Sequence, residues 1–356
     1  MTIYFFITLI TSILYFLTSK YYNQKNIFYF FFSLFLIIPT TIEGLRDLTV
    51  GKDLLIYGYK YYDYASYSPN LAYLLSIWRT TEYGYISLNY ICSKIYNNIY
   101  FFLIINAFIK ILLVGITAIK LKNRFVGTLF VTTYMLFFYW YGFSLMRQNL
   151  ALCFGFISMF YFFEKKYKKY LILLLVAYSF HNSAILLIIL PIISYIYNKF
   201  KSPIYISTIS CIGLYFISNF IIQIIVSIGI VRSDFSELYS NSGVPIAKTN
   251  ILICLFILFI STHTKISKEL KYWLTSCSII SIFFLLLATQ FEIAFRISFY
   301  PMLILLTFTP LAINSTRTNK YVFTLLYICL FLIHTYISIR NEGEFQYSSL
   351  LLNTFL

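Results

Sequence analysis

Residues 99–119, IYFFLIINAFIKILLVGITAI, decide the fold. A single charge, Lys110, interrupts a run long enough to cross hydrocarbon as a helix, which takes about 20 residues. A membrane β-strand would instead alternate apolar and polar residues over about 10 positions. Comparable runs recur near 3–19, 27–43, 125–142, 145–163, 203–231, 249–262, 272–290, 296–313 and 321–339. Of the 356 residues, 60% are hydrophobic and only 11% charged, and the mean hydropathy is +0.80. Soluble domains are about half apolar and about a quarter charged. A soluble enzyme is thereby excluded, and so is a disordered chain, which would be polar and charge-rich. The expected fold is an all-α integral membrane protein, a polytopic helical bundle of about 10–12 transmembrane segments. With no Pro/Gly/Ser-rich linker, 1–356 reads as a single domain, and its first run reads as a retained span rather than a signal peptide.

The net charge of +15 is a matter of topology rather than of a nucleic-acid partner. More than half of the 27 basic residues fall in short loops: Lys20/Lys25, Lys120/Lys122/Arg124, Lys165/Lys166/Lys168/Lys169, Lys199/Lys201, Lys265/Lys268/Lys271 and Arg317/Lys320. Only Glu164 and Glu269 offset them. The positive-inside rule places these loops in the cytoplasm. Elsewhere acids and bases balance, with Glu43 counted among the outer acids and Lys110 within a span. Basic loops flank 170–198 on both sides, so one crossing would invert every later loop. A broken, re-entrant helical hairpin, 170–180 and 184–198, keeps them all inside. Eleven residues of helix rise only about 17 Å, so its apex, His181-Asn182-Ser183, falls near mid-membrane. Non-helical backbone at that depth requires protein or a polar cavity around it. The largest outer loop is about 44–98, and its part from Glu82 to Asn97 suits an interfacial helix.

Several outer residues carry chemistry. Arg296 ends a strongly apolar span, where a guanidinium by default suggests function and binds phosphate bidentately. It also suits an i−4 pair with Glu292 at the interface. Arg147 opens a helix, where the dipole demands an anionic companion. Arg46, Asp47, Lys52 and Asp53 surround Gly51 in a turn suited either to a polar ligand or to mutual pairing. Glu82 and His181 are candidates for proton transfer. His263 and His334 are weaker. Three outer arginines imply an anionic substrate. The tyrosines 57, 59, 61, 62, 64 and 67 suit sugar faces or simply the membrane interface. The six cysteines have no CxxC spacing and read as apolar packing residues. No metal-ligand spacing, Walker, GxGxxG or GxSxG motif is present.

Six motifs, in order, resemble a known family. Arg46-Asp47-Leu48-Thr49-Val50-Gly51-Lys52-Asp53 with Tyr57 resembles the "R-x-x-x-VG-T-D-x-x-x-Y" loop of the EpsG/Wzy-type polysaccharide (O-antigen) polymerases. Glu82-Tyr83-Gly84-Tyr85 with Asn89 is similar to their next segment. Arg147-Gln148-Asn149-Leu150-Ala151 resembles "RQ-x-x-A", and His181-Asn182-Ser183-Ala184 resembles "H-x-S-A". Arg296 with Tyr300-Pro301 resembles "R-x-x-x-Y", and Phe345–Leu350 the terminal "PY" segment. Lys52 stands where Thr is usual, and Gln346 where Pro is usual.

The resemblance implies a GT-C-like glycosyltransferase in the bacterial cytoplasmic (inner) membrane. It would polymerise undecaprenyl-diphosphate-linked oligosaccharide repeat units into O-antigen, capsule or exopolysaccharide on the outer face. A chain-length regulator would be a partner by resemblance only. On this view Arg296, Arg147 and Arg46 bind the diphosphate, and His181 or Glu82, then Asp53, is the general base. Tyr57, Tyr85, Gln148 and Tyr300 contact glycan. No cofactor and no metal is expected. A lipid-linked oligosaccharide flippase or an O-antigen ligase shares the anionic substrate, but transporters usually show internal repeats, which are not visible here.

Overall fold

The computed structural model describes residues 2–78, 81–188, 244–316, 319–341 and 345–349, with scattered positions between 191 and 213. Among these the chain is helical and contains no strand beyond one isolated bridge. Six of the described helices are long and apolar enough to cross a membrane. The expected spans near 3–19, 27–43, 99–119, 272–290, 296–313 and 321–339 coincide with these six. The expected span 203–231 and most of the second hairpin arm lie outside the described residues. The chain divides into two compact units, 1–187 with 331–356, and 188–330.

In the first unit, α1 (Thr2–Lys20) and α2 (Lys25–Gly44) pack together, and α2 packs on α6 (Ile99–Lys120). Polar side chains inside these helices return their hydroxyls to the preceding turn, as Thr8 does to Tyr4 O (2.7 Å) and Thr18 to Leu14 O (2.8 Å). This removes the cost of a bare hydroxyl in an apolar setting. The outer loop is itself folded into α3 (Tyr59–Tyr67), α4 (Leu71–Ile77) and α5 (Tyr83–Ile95). Asn70 and Asn98 cap α4 and α6 by accepting from Tyr73 N and Tyr100 N, each at 2.8 Å. The helix expected from Glu82 to Asn97 is thus present as α5. It is packed on α6 through Tyr85, Cys92 and Phe102.

The helix expected at 125–142 is interrupted. α7 (Arg124–Tyr134) passes through a π turn, Met135–Tyr139, into α8 (Trp140–Ser144), and Leu145 then breaks the chain before α9 (Met146–Phe163). A π turn disrupts the regular backbone ladder, and the carbonyls it disturbs need other donors. Side chains from five segments meet carbonyls of the π turn and of α8. Thr335 and Trp140 donate to Leu136 O, and Asn149 to Phe138 O at 2.7 Å. Lys110 donates to Gly142 O at 3.3 Å and Arg46 to Phe143 O at 3.0 Å. The surrounding core is aromatic, with Phe137, Phe138, Trp140 and Phe143 fully buried and His334 stacked on Phe137. α10 (Tyr167–Phe180) packs along α9 and stops at His181, whose backbone is extended. A 3-10 turn, Asn182–Ile188, follows. The helix break at the expected apex is therefore present, although the residues after it are 3-10 rather than α.

In the second unit, α11 (Lys248–His263), α12 (Lys268–Leu287) and α13 (Glu292–Ser315) are joined by short turns. Ser267 caps α12, and Ser261 meets Thr275 at 3.1 Å between α11 and α12. Leu287, Ala288 and Ala294 form a small apolar cluster with Val244, Phe291 and Phe295 at the α12–α13 turn. α14 (Lys320–Asn341) runs through the boundary between the units. Cys92, Cys153, Cys254 and Cys277 are buried free thiols, as packing residues should be; Cys211 lies outside the described residues.

Candidate functional site

Two polar clusters occupy the first unit. The first is built where α5, α9 and α10 present their ends. Glu82 precedes α5, and its side chain turns away from that helix rather than capping it. Gly84 allows the approach: a Cβ there would lie 2.4 Å from Ser179 Oγ. Arg147 Nη1 donates to Glu82 Oε2 at 2.5 Å, and His181 Nδ1 lies 2.8 Å from Glu82 Oε1. The His181 contact is a close approach of the two atoms rather than an aligned hydrogen bond. Asn182 N points to the same Oε1 at 3.4 Å, and the Thr81 hydroxyl bonds the Asn182 side chain. Arg147 also donates to Tyr61 OH at 3.3 Å and lies over that ring, which stacks on Trp78.

The charges balance in an instructive way. Arg147 sits at the unfavourable, positive end of α9, and Glu82 is the anion that this position requires. Burial pushes the Glu82 carboxyl up, but His181's contact and Arg147's charge outweigh it, so the carboxyl sits below its usual range. Glu82 is 6% exposed, whereas Arg147 and His181 are 29% and 23% exposed. The acid is enclosed, while the cation and the imidazole reach the surface.

The second cluster lies under the start of the outer loop. Arg46 is fully buried. Its Nε donates to Val50 O (3.2 Å), Nη1 to Glu43 O (2.5 Å) and Nη2 to Phe143 O (3.0 Å), with Met146 Sδ beside it. Gly51 has φ +94, and a Cβ on it would stand 2.3 Å from Phe143 O. Asp47 accepts from the Thr49 N–H at 2.9 Å and hydroxyl at 2.7 Å, which holds its carboxyl below the usual range. The C-terminal strip crosses this loop. Arg46 and Ser349 form an antiparallel bridge, and Asp47 N donates to Ser348 O. Tyr347 OH reaches Ile42 O and Tyr4 OH reaches Phe345 O. Beneath Arg46, Lys110 and Glu43 form a buried ion pair.

The expected site residues separate accordingly. Glu82, Arg147 and His181 meet. Arg46's nitrogens donate to backbone oxygens, which builds the loop around it. Asp53 is partly buried beside Ser144, whose hydroxyl its N–H approaches at 3.4 Å. Tyr57 is exposed at the surface of the loop. Tyr85, Gln148 and Tyr300, expected to touch glycan, are all buried, Tyr85 against Phe102 and Tyr61. In the second unit, Arg296 lies 3.4 Å from Glu292, the i−4 pair open from the sequence. Sequence reasoning had assigned Glu43 to the outer acids and left Lys110 alone. The rule that an ion inside a membrane seeks a partner would have paired them.

A polytopic helical membrane protein with an enclosed carboxylate between an arginine and a histidine is the class that the fold and site define. The chain belongs to the EpsG family: that family's model matches residues 29–349. This membership places it among polysaccharide-polymerase-like membrane proteins. No curated protein and no solved structure matches it.

Proposed function

We propose that this protein is a membrane glycosyltransferase that joins undecaprenyl-diphosphate-linked oligosaccharide repeat units into a surface polysaccharide on the outer face of the cytoplasmic membrane. The observation that carries the proposal is the convergence of Glu82, Arg147 and His181 in a chain of the EpsG family.

The chemistry follows from that arrangement. Glu82 is held ionised and enclosed, which makes it a poor acceptor of a proton but a good positioner. By engaging Nδ1 it orients the His181 ring and leaves Nε2 to take the proton of the acceptor hydroxyl. The acceptor oxygen then bonds to the donor's anomeric carbon as that carbon's bond to the diphosphate oxygen breaks. Both electrons of the broken bond leave with the diphosphate. Arg147, more exposed than its partner, stabilises the developing charge. Arg296 is assigned a diphosphate contact on the strength of the motif alone. Arg46 is assigned no contact with substrate; with Gly51 it folds the loop beside the site. Among the expected sugar contacts, exposed Tyr57 is retained. Tyr85 and Gln148 are buried and are given a supporting role, and His181 is preferred to Asp53 as the base.

Deleting the gene and resolving the surface glycan on a gel tests the activity. A ladder that collapses to one repeat unit supports polymerisation. Loss of every band above the core favours flipping or ligation. Lipid-linked units trapped on the cytoplasmic face then identify a flippase, and units accumulated outside identify a ligase.

A further inference from the structure

At the ends of α9 and α10 opposite to Arg147 and His181, cations gather around a single ring. Lys120 Nζ lies 4.3 Å from the Tyr161 ring centroid, Lys169 5.4 Å and Lys166 6.0 Å. Lys120 also lies over Phe160. Three ammonium groups thus stand within 6.0 Å of one ring centroid, and one nearby carboxylate, Glu164, is held by Lys166 at 2.7 Å. Like charges so placed repel, and the ring's attraction is modest at an exposed site. An anion is the missing member.

The backbone carries a second, independent sign. Both non-glycine residues with positive φ among the described residues are lysines at this end: Lys122 (φ 56) and Lys165 (φ 59). They follow the ends of α6 and α9, where glycine is the usual occupant of the left-handed position. The capping bonds are intact: Lys165 N donates to Phe162 O and Lys166 N to Tyr161 O, each at 2.9 Å. Lysine thus occupies two corners at this end where the backbone favours glycine.

The cluster stands at the end of α6, an apolar helix able to cross the membrane, so it meets the headgroup layer whichever way the chain is oriented. We infer that Lys120, Lys166 and Lys169, gathered around Tyr161, bind the phosphate of an anionic phospholipid headgroup. Strongly hydrated ammonium groups suit a phosphate diester as point charges, and Tyr161 holds them in one place while its ring meets the acyl boundary.

The test uses the full chain in detergent, titrated with phosphatidylglycerol and, as a neutral control, phosphatidylcholine. Bound lipid is read by native mass spectrometry. Wild type should retain phosphatidylglycerol preferentially. The K120Q/K166Q/K169Q variant should bind it roughly a hundredfold more weakly. K265Q/K268Q/K271Q makes the same change in charge and leaves the cluster intact, so it should bind at least about tenfold more tightly than the first triple variant. Tyr161→Leu keeps every charge and should still weaken binding, which guards against misfolding of the triple variant. Equal losses in both triple variants would overturn the site in favour of general charge attraction. Inorganic phosphate that displaces the lipid at comparable concentration would overturn the headgroup assignment in favour of a free-anion site.

Discussion

Arg46→Met distinguishes a loop-building arginine from a phosphate ligand. Methionine keeps most of the apolar stem and leaves no unpaired charge behind. What disappears is a set of donors: three nitrogens at 2.5–3.2 Å from the carbonyls of Glu43, Val50 and Phe143. Hydrogen bonds to charged groups contribute about 1.5–3 kcal/mol each, and they are not fully additive because they share one side chain. The Phe143 carbonyl belongs to the segment whose helical ladder is already interrupted, so solvent or strain must replace the lost donor. The expected destabilisation is about 3–5 kcal/mol. Arg46→Lys should recover only a minority of it, because an ammonium cannot span three acceptors from one fork. The assay is the unfolding of purified protein in mild detergent, followed by the fluorescence of Trp140, which is buried beside the loop's C-terminal strip. If Arg46→Met unfolded within about 1 kcal/mol of wild type while polymer was lost, the carbonyl contacts would be incidental and the phosphate role restored.

Three further outcomes follow from the same geometry. Gly51→Ala should cost about 2 kcal/mol or more, because the new Cβ meets the Phe143 carbonyl on a backbone of positive φ; a neutral effect in the same unfolding assay would contradict the close approach. Lys110→Met should destabilise by about 3–5 kcal/mol by stranding Glu43 in the core, whereas the Glu43→Gln/Lys110→Met double variant should recover at least half of that loss; additive losses would refute a coupled pair. Glu82 has a folded-state carboxyl below its usual range, so its contribution is present above the unfolded value of about 4.3 and fades as the pH falls through the folded one. The stability gap between wild type and Glu82→Gln, measured by denaturation from pH 7 downward, should therefore narrow below about pH 4; a gap that widens there would reverse the sign.

The helical bundle was legible because hydrocarbon imposes unbroken apolar runs, which no local detail can disguise. The break at His181 was legible for a different reason: basic loops on both sides of 170–198 cannot face one compartment without it. Glu82, Arg147 and His181 could each be singled out by residue type and position, but not as one group. Arg147 lies 65 residues beyond Glu82 and His181 far beyond that, and no periodicity encodes such a meeting. The anion that Arg147 required at its helix end was foreseen as a ligand, and a resident carboxylate supplies it. The contacts of Arg46 could not be read ahead, because its partners are backbone carbonyls, which have no letter in a sequence. The helix end at Leu145 that frees one of them, Phe143 O, is equally silent, since the residues before it are as apolar as those of any span. Tyr85 and Tyr300 show the limit of aromatic counting: the same side chain serves a sugar face, a membrane interface or a core, and burial decides.

The central claim is that His181, oriented by Glu82 beside Arg147, accepts the proton of the attacking sugar. The direct measurement takes lipid-linked repeat units extracted from the deletion strain and incubates them with purified wild type and His181→Ala. Wild type should build a ladder of joined units, and His181→Ala should slow its formation by about 100-fold or more while retaining the fold. A ladder formed by His181→Ala at the wild-type rate would contradict the account.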